Sequence, residues 1–205
     1  MPKSSLRNRL LWTAALLLAT VPLVFAAKSP LLQWREPIYI MAGLAGVVGM
    51  ILLLAQPILA AGLLRGIPRQ RAHRLHRWSG VLLLAAIVLH VAGLWITSPP
   101  DVIDALTFTS PTPFAAWGVI AMWAAFAAAG LAIYRRKLRL WQWRIGHSVM
   151  ITLVVTGTVI HALLIEGTME PYSKIVLSCA VLVATCTALS RLKPWTGRPP
   201  RAGAD

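Results

Sequence analysis

Six apolar stretches alternate with short polar connections along this chain, at about 10–27, 38–64, 76–97, 114–134, 147–165 and 172–190. A helix rises about 1.5 Å per residue and needs roughly 20 apolar residues to cross the hydrocarbon of a bilayer. The pattern therefore predicts an all-α integral membrane protein, a six-transmembrane-helix bundle forming one domain over residues 10–190. Residues 1–9 precede it, and the Pro- and Gly-bearing segment 191–205 reads as a disordered tail. The first stretch, ending in Phe25-Ala26-Ala27, has the look of a cleaved leader, but its length and internal Pro22 favour a retained span. In the second, Gly43, Gly46 and Gly49 form a small-residue row suited to close helix approach, and Gln56-Pro57 should kink or end the regular helix. The fourth, through Trp117 and Trp123, carries no charge and reads as packing. The connection from Ser98 to Phe114 is proline-rich and long enough to cap one end of the bundle.

Composition agrees with this pattern: 58% of the 205 residues are hydrophobic and 13% charged, with a mean hydropathy of +0.70. A net charge of +14 would suggest a nucleic-acid partner if it lay on one soluble face. Its distribution argues against that. Seventeen of the 20 Lys and Arg fall before the first span, between spans two and three, between spans four and five, or in the tail. The opposite connections hold Lys28, Arg35 and Lys174, together with Glu36, Asp101, Asp104, Glu166 and Glu170. By the positive-inside rule both termini are cytoplasmic, in what would be a bacterial inner membrane, and the partner of the positive charge is the lipid bilayer rather than nucleic acid.

Cys179 and Cys186 lie within the sixth span without Cys or His neighbours at metal-ligand spacing, and are expected to be small buried hydrophobes. Glu166 and Glu170, four apart, are expected in a solvated loop. No glycine-rich nucleotide fingerprint and no phosphate-binding loop is present.

The histidines carry the chemistry. His76 and His90 are fourteen residues apart in the third span, and His147 and His161 repeat that spacing in the fifth. Fourteen residues bring a helix to within roughly 40° of its starting face and about 21 Å along its axis. Spans three and five run in the same direction, so His76 pairs in level with His147 and His90 with His161. Ionisable residues inside a membrane are costly and mark function by default. Two imidazoles on opposite sides of a porphyrin iron give a saturated haem suited to electron transfer, and two such sites would relay electrons across the bilayer. Ser79, Gly80 and Gly93 on one helix, and Gly146 and Gly157 on the other, are expected to leave room for a flat macrocycle. His73 lies roughly 100° off that face and reads as a loop residue. Zinc or di-iron fits less well, because neither helix supplies a carboxylate beside the histidines. Arg74, Arg77 and Arg144 sit at the level of His76 and His147, where they would bind haem propionates or anchor to lipid headgroups.

The segments R-L-H-R-W-S-G-V-L-L-L-A-A-I-V-L-H and W-R-I-G-H-S-V-M-I-T-L-V-V-T-G-T-V-I-H resemble the ferric-reductase-like transmembrane domain family. That superfamily includes iron reductases, the NADPH oxidases and the haem-binding subunit of periplasmic methionine sulfoxide reductase. The resemblance implies a cytochrome b-like bundle binding two haem b groups through His76, His90, His147 and His161. It also implies electron flow from a cytoplasmic donor to an exported-side acceptor, ferric iron or a periplasmic protein. Larger members append a flavin and nicotinamide domain after the last span. Without one, electrons would come from a separate flavoprotein or a membrane quinol. The methionine sulfoxide reductase subunit is the alternative within the family. Outside it stand a small transporter whose histidines line a proton path, and a scaffold holding partner helices.

The charge distribution yields a direct test of topology. Alkaline phosphatase fused after Lys137 should be inactive and after Glu166 active, assayed in whole cells; the reverse would invert the bundle.

Overall fold

The computed structural model describes residues 3–64 and 66–196, so the end of the expected tail, 197–205, lies outside the described residues. All regular structure among these residues is helical: α1 (Lys3–Ala27), α2 (Pro37–Ala60), α3 (Arg69–Thr97), α4 (Pro99–Leu106), α5 (Pro113–Ile133), α6 (Leu140–Leu164) and α7 (Pro171–Leu192). Six of them, all but α4, are long and apolar enough to cross a membrane. The six-helix membrane bundle read from the sequence is what forms.

Proline sets most helix starts. Pro37, Pro99, Pro113 and Pro171 occupy the first turns of α2, α4, α5 and α7, where a missing N–H costs nothing. Pro57 acts at the other end: α2 stops at Ala60, short of the expected 64. Two helices instead outrun their apolar windows. α3 begins at Arg69, directly after Pro68, and α6 at Leu140, seven residues ahead of each expected start. His73 is therefore a helical residue, not a loop residue: it sits exposed on the second turn of α3 beside Arg69. Once Pro68 has fixed the start, continuing the helix satisfies backbone groups at no cost, and the polar residues there remain in water.

The bundle is two antiparallel hairpins, α2/α3 and α5/α6, closed by α7, which packs on α2, α6 and α1. The core lies where α2, α5, α6 and α7 meet, around Leu53, Ala125, Val155, Leu177 and Val181. Apolar side chains also cover the outside, among them Leu16, Leu82, Leu89, Trp123 and Val183, all exposed as a lipid-facing surface requires. Cys179 and Cys186 belong to that surface rather than to the core. The inward stripe of α7 includes Lys174, Leu177, Ser178, Val181, Ala184, Thr185 and Ala188, and Cys179 and Cys186 each follow directly on one of its members.

Glu170 turns out to be the N-cap of α7. Its carboxylate accepts from the backbone N–H of Tyr172 and of Ser173, both at 2.9 Å. The N–H groups of Ser173 and Tyr172 hold this carboxyl below the usual carboxylate range. The cap therefore stabilises the folded state above that range and fades as pH falls through the lowered value.

Candidate functional site

The four histidines of the two spans share one device. In each, ring Nδ1 approaches a backbone carbonyl on the neighbouring helix of its own hairpin: His90 with Ala42 at 2.8 Å, His161 with Phe114 at 2.9 Å, His76 with Gln56 at 3.3 Å and His147 with Ala128 at 3.3 Å. A carbonyl only accepts, so the proton sits on Nδ1 and the Nε2 lone pair is left free. That is the orientation a metal-ligating imidazole needs.

Glycine explains why two of these bonds are shorter. In a helix the Cβ of residue i+4 leans toward the carbonyl of residue i. Four residues after Ala42 stands Gly46, and four after Phe114 stands Gly118. A Cβ added at Gly46 would lie 3.1 Å from His90 Nδ1, and one at Gly118 2.7 Å from His161 Nδ1. The imidazoles occupy the space the missing side chains leave. At the other level the corresponding residues are Ala60 and Ala132, and the bonds stretch to 3.3 Å.

The two hairpins are equivalent. Ala42, Gly46 and Gln56 of α2 match Phe114, Gly118 and Ala128 of α5, each pair 72 positions apart, and the histidines of α3 and α6 match at 71. Gly46-Val47-Val48-Gly49-Met50 reappears as Gly118-Val119-Ile120-Ala121-Met122. Even the small-residue contact is conserved in kind, with glycine and alanine exchanged: Gly49 meets Ala86 on α3, and Ala121 meets Gly157 on α6. This repeat is the signal that would have found Gly118 from sequence.

α3 and α6 are not packed directly on each other. His90 and His161 face across a cavity of about 460 Å³, their ring centroids 6.5 Å apart and their planes at 83°. α5 supplies much of the wall through Phe114, Gly118, Val119 and Met122, so the fourth span does more than pack. Gly43, Gly46, Gly49 and Gly118 line this space. The glycines expected there, Gly93 and Gly157, instead seat α3 on Ala42 and α6 on Ala121. They face their hairpin partners, because the small side of each helix is also the side that must approach closely.

His76 and His147 lie at the Arg-rich end of α3 and α6. Trp143 stacks on His147 at 5.6 Å, and the Arg135 guanidinium covers Trp143 at 5.0 Å. Gln56 Nε2 donates to Ser79 Oγ at 2.8 Å, beside His76. Of the three arginines expected at this level, Arg74 and Arg77 are exposed, whereas Arg144 donates to the carbonyls of Leu192 and Lys193 and caps α7. Among the described residues no three His, Cys, Asp or Glu converge.

A model of the ferric reductase like transmembrane component matches residues 42–158, which span both hairpins from Ala42 to one helical turn short of His161. No curated protein and no solved structure matches the chain.

Proposed function

The chain belongs to the ferric reductase like transmembrane family, and from that premise we propose that it carries electrons across the membrane through two b-type haems. His90 and His161 would ligate one, and His76 and His147 the other.

The observation that carries this reading is the geometry of His90 and His161. An imidazole nitrogen binds a transition metal at about 2.0–2.1 Å, so two rings on opposite sides of one ion have centroids roughly 6–6.5 Å apart. The observed separation is 6.5 Å. Two ligands do not complete a zinc or di-iron site, whereas a porphyrin brings four nitrogens of its own. The cavity, at about 460 Å³, is of the size and apolar character that takes a large flat ligand. When bound, haem supplies a reversible one-electron centre. The chain's own part is to fix both imidazole tautomers through the carbonyls of Ala42 and Phe114, hold the rings in place over Gly46 and Gly118, and keep water from the site with Val119, Met122, Leu83 and Ile87.

The same logic extends to the other level, where the carbonyls of Gln56 and Ala128 replace those of Ala42 and Phe114. The levels are about 21 Å apart along α3 and α6. Electrons enter at the Arg-rich end, from a separate flavoprotein or a membrane quinol. They leave at the α4 end to an exported-side acceptor, ferric iron or a periplasmic protein.

Single substitutions test the pairing. In reduced-minus-oxidised spectra, His90→Ala and His161→Ala should remove the same centre, and His76→Ala and His147→Ala the other. If His76→Ala and His161→Ala removed a common centre, the pairing would be wrong. A second variant tests the carbonyl device. Gly118→Ala should weaken haem retention at the His90–His161 site by roughly 10- to 100-fold, the usual effect of disturbing a ligand's supporting hydrogen bond. Gly130→Ala on the same helix, where a Cβ meets open space, should leave retention unchanged.

A further inference from the structure

Lys174 is the one buried cation among the described residues, at 9% exposure. In the sequence it stands only as a charge on a connection. It lies in the first turns of α7, and its side chain lines the same cavity as His90 and His161. Its ammonium donates to the carbonyl of Ile165 at 2.8 Å, and among the described residues it has no other partner. The two carboxylates on the cavity wall are not paired with it: Asp101 is exposed, and Asp104 accepts from Thr109 Oγ1. An ammonium has three donors, and lysine is almost never buried without an anion to meet it.

We propose that Lys174 is the anion contact of this cavity, donating to a propionate carboxylate of the tetrapyrrole held between His90 and His161. The inference rests on the haem reading of the cavity. Its chemistry is specific: the occupant brings carboxylates into an apolar chamber, and Lys174 is the buried charge there able to neutralise one. A positive charge beside the propionate favours the reduced iron, so Lys174 also raises the potential of that centre.

A purely structural role must be separated from this one, because Ile165 N–H donates to the carbonyl of His161 and so ties Lys174 to the ligand's own helix end. Spectroelectrochemical titration of the full haem-loaded chain makes the first distinction. Lys174→Met should lower the midpoint of the centre that His90→Ala removes, leave the other midpoint in place, and be largely restored by Lys174→Arg. Two unchanged midpoints with both centres bound would overturn the proposal. Should Lys174→Met lose that haem altogether, full-length chain from haem-depleted cells is reconstituted with protohaem or with its dimethyl ester. Wild type should then favour the free acid by roughly tenfold or more, the scale of one charge-assisted hydrogen bond. Lys174→Met should show no preference, and a preference retained by the variant would overturn the proposal. If wild type took up neither form, the haem reading itself would fail, and Lys174's role with it.

Discussion

An imidazole buried in an apolar bundle must give its N–H to an acceptor, and the acceptors most reliably present in a helical membrane protein are backbone carbonyls already engaged in helices. Each carbonyl has a second lone pair, and gaps in the side-chain layer of the helix let an imidazole approach it most closely. Gly46 and Gly118 are those gaps. From that constraint follow the tautomer of His90 and His161, the direction of their free Nε2, the close approach of α2 to α3 and of α5 to α6, and the cavity between the hairpins. The small-residue contacts Gly49–Ala86 and Ala121–Gly157 keep each hairpin tight enough for the carbonyl to be in range.

The arrangement divides labour between helices. α3 and α6 carry the four histidines, α2 and α5 orient their rings, and α7 closes the α4 end with a buried lysine. The repeat of one hairpin yields two equivalent walls, each carrying one histidine at each level. The levels are not identical. The Ala42 and Phe114 level has glycines, short hydrogen bonds and a cavity; the Gln56 and Ala128 level has alanines, longer bonds, and an Arg135–Trp143–His147 stack at the charged end.

Much of this was legible in the sequence. Hydropathy alone located six spans, because a membrane helix must be apolar over a length the bilayer dictates. The spacing of His76, His90, His147 and His161 marked the helix faces on which the imidazoles sit, because helical periodicity is rigid. What sequence misjudged were features set by the neighbour rather than by the helix itself. Gly93 and Gly157 were assigned to the cavity, yet the small face of each helix is shared between cavity and hairpin contact, and only packing divides it. Cys179 and Cys186 were placed inside, although in lipid an apolar residue is equally at home outside. Gly118 passed unnoticed in a span that looked featureless, since its role belongs to an imidazole 43 residues further along. Lys174 looked like a surface charge because burial of a side chain at a helix start cannot be read from its neighbours in sequence.

The central claim is that one iron sits between His90 and His161, and the 83° angle between their planes gives it a spectroscopic signature. Perpendicular imidazoles overlap equally with the two iron dπ orbitals and leave them nearly degenerate. Low-temperature electron paramagnetic resonance of the oxidised, purified protein should therefore show a low-spin ferric signal of unusually large g anisotropy that disappears in His90→Ala and in His161→Ala. Absence of any low-spin ferric signal in protein from haem-replete cells would contradict the claim.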